Sequence, residues 1–217
     1  MLRAMLVLFL SLIPLLPARA AAPSDWGSLD GLATGRAVPG PAGWLNWCLA
    51  DLARCRPAAP EHVPAATPGL LALLERVQRE VNAAIAPRQE PAGRDLWQAG
   101  GASGDCEDYA LTKRQRLLAA GLPGAALQLA TVLLPQGERH AVLAVDTDRG
   151  TLVLDNLRPR VAPLRELPYA WLGAQGSDDT LLWRELAGTA RVPVPGRLAQ
   201  GGTDGLARRA ATGTVAQ

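Results

Sequence analysis

Cys106, His140 and Asp155 are, in residue type and chain order, a nucleophile, a base and an acid that could orient the base. A thiol attacks a carbonyl as the thiolate, so it needs a partner to take its proton, and the chain holds two histidines. His62 lies in a Pro/Ala-rich stretch. His140 opens an apolar run directly after the turn-forming residues 135–139, and Asp155 closes the next run, where a carboxylate can accept an imidazole N–H. The chemistry such a set performs is acyl transfer. Taken singly, each residue also has an ordinary role: a buried thiol, a strand-end histidine, or the start of an Asp155-Asn156 turn.

The neighbours of Cys106 pose an electrostatic problem. A cysteine in the first turn of a helix faces unsatisfied N–H groups and the positive end of the helix dipole, worth roughly 0.3 to 1 kcal/mol. Asp105, Glu107 and Asp108 oppose it, because like charge nearby raises a thiol pKa. A bound divalent cation would reverse the local sign, and hard oxygen ligands in a flexible loop suit calcium. The alternative is that the acids only cap the helix and meet solvent or an arginine such as Arg114. Trp97 and Gln98, shortly before the helix, are candidates for lining the site or donating to an oxyanion, together with the Cys106 backbone N–H. Trp97 can equally be a core aromatic.

Elements must hold these groups in place. Residues 69–86 put Leu70, Leu74, Val77, Val81 and Ala84 at helical spacing behind Thr67 and Pro68, which suit a helix start. A Gly/Pro-rich loop, 87–104, precedes a second helix at 105–120, stopped by Gly121 and Pro123. Residues 127–134, 140–145 and 151–156 read as three strands, the last two a hairpin. If Val145 pairs with Gly150 across a four-residue loop, His140 falls opposite Asp155 on one face; a slip of one residue would separate them. Residues 157–186 are mixed, with Trp171 and Trp183 as core or lid aromatics.

Composition bounds the function. The chain has 217 residues, 48% hydrophobic and 19% charged, and a formal charge of +2 with its basic residues scattered, which argues against a nucleic-acid binder. Arg3, an apolar run at 5–16 and Ala18-Arg19-Ala20 read as a secretory signal over 1–20, with an uncleaved anchor as the alternative. Its removal takes two arginines and no acid, so the mature chain is neutral and carries no later segment long enough to span a membrane. Export favours pairing of thiols, and Cys48 and Cys55 are close enough in sequence to join, leaving Cys106 free; three unpaired thiols are the alternative. The expected organisation is a signal at 1–20, a lead-in at 21–68, a catalytic core at 69–186 and a disordered tail at 187–217.

Helix cysteine, strand histidine and next-strand aspartate together form the arrangement of papain-like and transglutaminase-like folds. Gly104-Asp105-Cys106-Glu107-Asp108-Tyr109-Ala110, Gly121-Leu122-Pro123, His140-Ala141-Val142-Leu143 and Leu152-Val153-Leu154-Asp155-Asn156-Leu157 resemble the bacterial transglutaminase-like cysteine proteinases. The resemblance runs from about Val81 to Leu157. It implies an α+β fold with the nucleophile at the start of a central helix packed on an antiparallel sheet. It also implies a periplasmic protease that trims a large surface adhesin, in a biofilm setting, under control of an inner-membrane receptor for a cyclic dinucleotide. Carried over, Cys106 is the nucleophile, His140 the base, Asp155 its orienter, and Asp105 and Glu107 are calcium ligands. The competing readings are a murein endopeptidase or amidase, a protein cross-linker on the same fold, and an idle binding module.

Overall fold

The computed structural model describes residues 26–55, 63–91, 93–176 and 181–187. The expected signal, His62 and the tail beyond residue 187 lie outside the described residues. Strand β1 (Ala33–Val38) leads into helix α1 (Ala42–Ala50), then helix α2 (Pro68–Ala84), strands β2 (Ala86–Pro87) and β3 (Ser103–Gly104), and helix α3 (Cys106–Ala119). The remaining strands are β4 (Leu127–Leu133), β5 (Arg139–Thr147), β6 (Gly150–Leu154), β7 (Ala162–Pro163), β8 (Ala170–Gln175) and β9 (Trp183–Leu186). Seven of them form one sheet in the order β1-β9-β8-β4-β5-β6-β7, with every neighbouring pair antiparallel. This is the expected α+β fold, with α3 against β5 and α2 against α3.

The helices begin and end where local chemistry dictates. At α2, the Thr67 hydroxyl accepts the Leu70 N–H at 3.2 Å and Pro68 takes the first turn, where its missing N–H costs nothing. Helix α2 stops at Ala84, two residues before the expected end, because Ile85 turns extended and feeds β2, which pairs in parallel with β3. Helix α3 closes with the Gly121 N–H on the Leu118 carbonyl and the Leu122 N–H on that of Leu117, a turn that places Gly121 at φ +88°.

Strand alternation divides the core in two. Leu127, Leu129, Leu143, Val145, Leu152 and Leu154 pack with Leu74, Val81, Leu111 and Leu117 of the helices. Ala130, Val132, Val142, Ala144 and Val153 pack on the opposite face with Leu29, Leu164, Tyr169 and Trp171. The β5–β6 hairpin is tighter than expected: Thr147 pairs with Gly150, leaving Asp148 and Arg149 as the turn, and Val145 pairs with Leu152. The register therefore moves by two residues. An even shift preserves the face, so His140 and Asp155 stay together as diagonal neighbours.

Two segments depart from the sequence-based expectation. The lead-in expected at 21–68 supplies β1, which pairs with β9, and α1, which buries Trp44, Trp47 and Cys48 in the main core. The mixed stretch after 157 supplies β7, β8 and β9, and Trp171 and Trp183 are core residues. A disulfide joins Cys48 to Cys55, and Cys106 is a free thiol.

Candidate active site

The site is built from the start of α3. Asp105 occupies the N-cap position with extended backbone, yet its side chain makes no capping hydrogen bond. Asp108, three residues on, does that work in reverse: its carboxylate accepts the Asp105 backbone N–H and the Gln98 N–H, the latter at 2.9 Å. Gly104 permits this approach, since a Cβ there would fall 2.1 Å from Asp108 Oδ2. Cys106 thereby takes the first helical position.

Its thiol donates to Glu107 Oε2 at 3.1 Å. Burial pushes the Cys106 thiol well above its ordinary range, the Glu107 charge and hydrogen bond add to that, and the Ala141 backbone N–H pulls the other way. Glu107 is itself pushed up to about 7, first by burial and also by the adjoining Asp105. Asp108 rises to about 6, again chiefly through burial. Arg114, a possible partner for these acids, instead gives its Nε–H to the Leu127 carbonyl at 3.1 Å.

The base and its acceptor form a finished unit. His140 Nε2 lies 2.8 Å from Asp155 Oδ1, both side chains almost fully buried, which leaves Nδ1 as the second imidazole nitrogen. Oδ1 also accepts the Leu157 N–H at 2.8 Å, and Oδ2 accepts the Tyr169 hydroxyl at 2.5 Å. Burial alone would raise the Asp155 pKa; the hydrogen bonds from His140, Tyr169 and Leu157 outweigh it and hold the carboxyl below its usual range. The main chain is pinned too. Gln78 and Asn82 of α2 donate to both the Asp155 and the Arg158 carbonyls.

Cys106 and His140 line one cavity of about 270 Å³ with Gly104, Tyr109, Leu134, Asn156 and Leu157. Arg88, Glu138 and Arg139 also border it. Trp97 and Gln98 do not: they line a separate cavity beside α1, and the Trp97 indole N–H is committed to Asp95 Oδ1 at 2.7 Å. Trp97 is therefore a core aromatic, packed edge-on against Trp44, and no donor to an oxyanion beside Cys106. Its crowding explains Gly43, where a Cβ would come within 2.2 Å of the indole.

Sequence reasoning passed over Gln78, Asn82 and Tyr169. Gln78 and Asn82 carry a visible signal, two amides four residues apart beside the apolar Val77 and Val81, and Gln78 is wholly buried. Tyr169 stands in the mixed stretch with no pattern to mark it.

The model for bacterial transglutaminase-like cysteine proteinases matches residues 34–191. The chain belongs to this family. Solved structures similar to this proteinase include LapG of Legionella pneumophila in a calcium-bound form, at 22% identity, covering 59% of this chain and 76% of that one with a TM-score of 0.47. A second LapG structure has 24% identity over 55% and 71% of the two chains, and an EGTA-treated one 24% over 55% and 69%, both at a TM-score of 0.47. A comparison with curated proteins gives no match. Among the described residues of the proteinase, no three His, Cys, Asp or Glu side chains converge as a metal cluster. The donor chemistry at Asp105 and Glu107 nonetheless suits a hard cation: two adjoining carboxylates, with Asp105 Oδ1 buried and without a hydrogen-bond partner among the described residues.

Proposed function

We propose that this proteinase is a periplasmic endopeptidase, exported by a cleaved signal at 1–20, that cuts a large surface adhesin or a similar exported protein through Cys106, His140 and Asp155. The observation that carries the reading is the buried His140–Asp155 pair, 2.8 Å apart, whose histidine lines the same cavity as Cys106 at its helix start. Asp155 holds the imidazole by Nε2, so Nδ1 takes the thiol proton and later delivers it to the leaving amine. The sulfur adds to the scissile carbonyl, the amine departs, and water releases the acyl group. The Cys106 backbone N–H at the helix start is a donor to the oxyanion.

In the resting conformation the thiol is turned to Glu107, so it must leave that carboxylate to meet His140. Calcium held by Asp105 and Glu107, completed by neutral oxygens, would neutralise the charge that opposes the thiolate. Once free of Glu107, the thiol passes its proton to His140. Membership of the family supports a protein substrate and, by the same resemblance, an inner-membrane receptor for a cyclic dinucleotide as the controlling partner.

The test is incubation of the mature chain with a recombinant adhesin fragment carrying an alanine-rich junction, with mass spectrometry of the new termini. Cleavage at one site is expected, lost in Cys106→Ala and His140→Ala and severely reduced in Asp155→Ala, with losses that do not add. Cleavage by Cys106→Ala would overturn the mechanism. Release of muropeptides from purified peptidoglycan, or amine incorporation without hydrolysis, would replace the substrate with those of the competing enzymes. An intact chain that neither cuts nor reacts would be a binding module.

A further inference from the structure

Asp155 is held more completely than an orienting carboxylate needs for one histidine. A carboxylate bonded at one oxygen can still swing about its Cβ–Cγ bond, because that torsion is soft and two-fold. Here the second oxygen is also claimed: the Tyr169 hydroxyl donates to Oδ2 at 2.5 Å. Tyr169 is buried, and its hydroxyl receives the Arg158 Nε–H at 3.3 Å, with the guanidinium lying over the ring at 5.8 Å. The same ring meets the His140 imidazole edge-on, with centroids 6.4 Å apart and planes at 75°. One side chain thus touches both the base and its acceptor, from the segment that enters β8.

Resting on the triad reading above, we propose that Tyr169 is a positioning residue of the reaction: it fixes the plane of Asp155 through Oδ2 and the plane of His140 through the ring, so that Nδ1 is aimed at the thiol. The proton path follows. Arg158 donates to the phenol oxygen, the phenol donates to Asp155, and Asp155 accepts from Nε2, so no proton moves along this chain during turnover; the imidazole alone gains and loses one, at Nδ1. Burial and the Asp155 charge keep the phenol protonated, its pKa raised to about 12, so it remains a donor throughout. A tyrosine that served only packing would be replaceable by phenylalanine, which keeps the ring against His140 and Trp171.

The experiment uses N-acetylalanine p-nitrophenyl ester as a chromogenic acyl donor, independent of the natural substrate, with iodoacetamide alkylation of Cys106 as a second readout. Tyr169→Phe is expected to lower kcat about tenfold with KM changed less than twofold, and to slow alkylation. In an Asp155→Asn background it should change kcat less than twofold, because Tyr169 acts through the carboxylate. If Tyr169→Phe fails to fold, as judged by tryptophan fluorescence and melting, Arg158→Gln retains the tyrosine and should lower kcat several-fold with KM unchanged. Wild-type kcat in the folded variant, or an equal penalty in the Asp155→Asn background, would overturn the proposal. An active Cys106→Ala would instead overturn the triad on which it rests.

Discussion

Replacing Lys113 with methionine should stabilise the protein by an amount that depends on pH. Lys113 sits on α3 with no exposed surface, and its ammonium has no hydrogen-bond partner among the described residues; the Tyr109 ring centroid is 5.9 Å from Nζ. Burial drives its pKa down to about 7 from an ordinary 10.5, against the pull of the ionised Asp155. The unfolded chain keeps an ordinary lysine, so between about pH 7 and pH 10.5 it binds more protons than the native state, and stability rises with pH through that window. Below pH 7 both states are protonated and the full cost is present. At roughly 1.4 kcal/mol per pH unit of difference, that cost is on the order of 4 to 5 kcal/mol.

Methionine matches the lysine stem in volume and carries no charge, and replacing a buried charge with an apolar side chain of similar size is generally neutral or stabilising. The expected gain is therefore about 4 kcal/mol at pH 7, shrinking by about 1.4 kcal/mol for each pH unit toward pH 10. Urea unfolding followed by tryptophan fluorescence at pH 7, 8 and 9 measures it. Glu107 and Asp108 also titrate in the folded state, but their contributions are common to both proteins and cancel in the difference. A gain that does not vary with pH, or a loss at pH 7, would refute the account of Lys113 as a buried, unpaired amine.

If calcium binds at Asp105 and Glu107, adding it to chelator-treated protein should raise the melting temperature, restore cleavage where magnesium does not, and do neither in Asp105→Ala; full activity in excess chelator would leave the acids as helix-start groups only. The Cys48–Cys55 bridge closes a separation of seven residues, so its removal in a Cys48→Ser/Cys55→Ser double variant should cost about 2 kcal/mol in urea unfolding, with one alkylatable thiol, Cys106, remaining in the unreduced wild type.

Local chemistry made much of the site legible from the chain alone. The start of α2 at Thr67-Pro68 and the stop of α3 at Gly121 follow from groups within a few residues of one another, and so does the placing of Cys106 in the first turn of its helix. Period-two alternation would put His140 and Asp155 on one face in the expected register, and because faces repeat every second residue, that pairing survived a hairpin two residues tighter than expected. What depended on distant segments stayed hidden. The pairing of β1 with β9 joins residues some 150 apart, and neither strand alternates cleanly enough to announce itself. Trp97 stood near Cys106 in sequence, yet its indole packs beside α1 because Asp95 takes its N–H and Trp44 its edge. Tyr169, Gln78 and Asn82 gather on Asp155 only when the β8 segment and α2 pack against the end of β6. Sequence determined which groups could react, since residue type and local geometry set that; the tertiary structure decided what holds them, since a buried carboxylate takes its partners from wherever the fold brings donors.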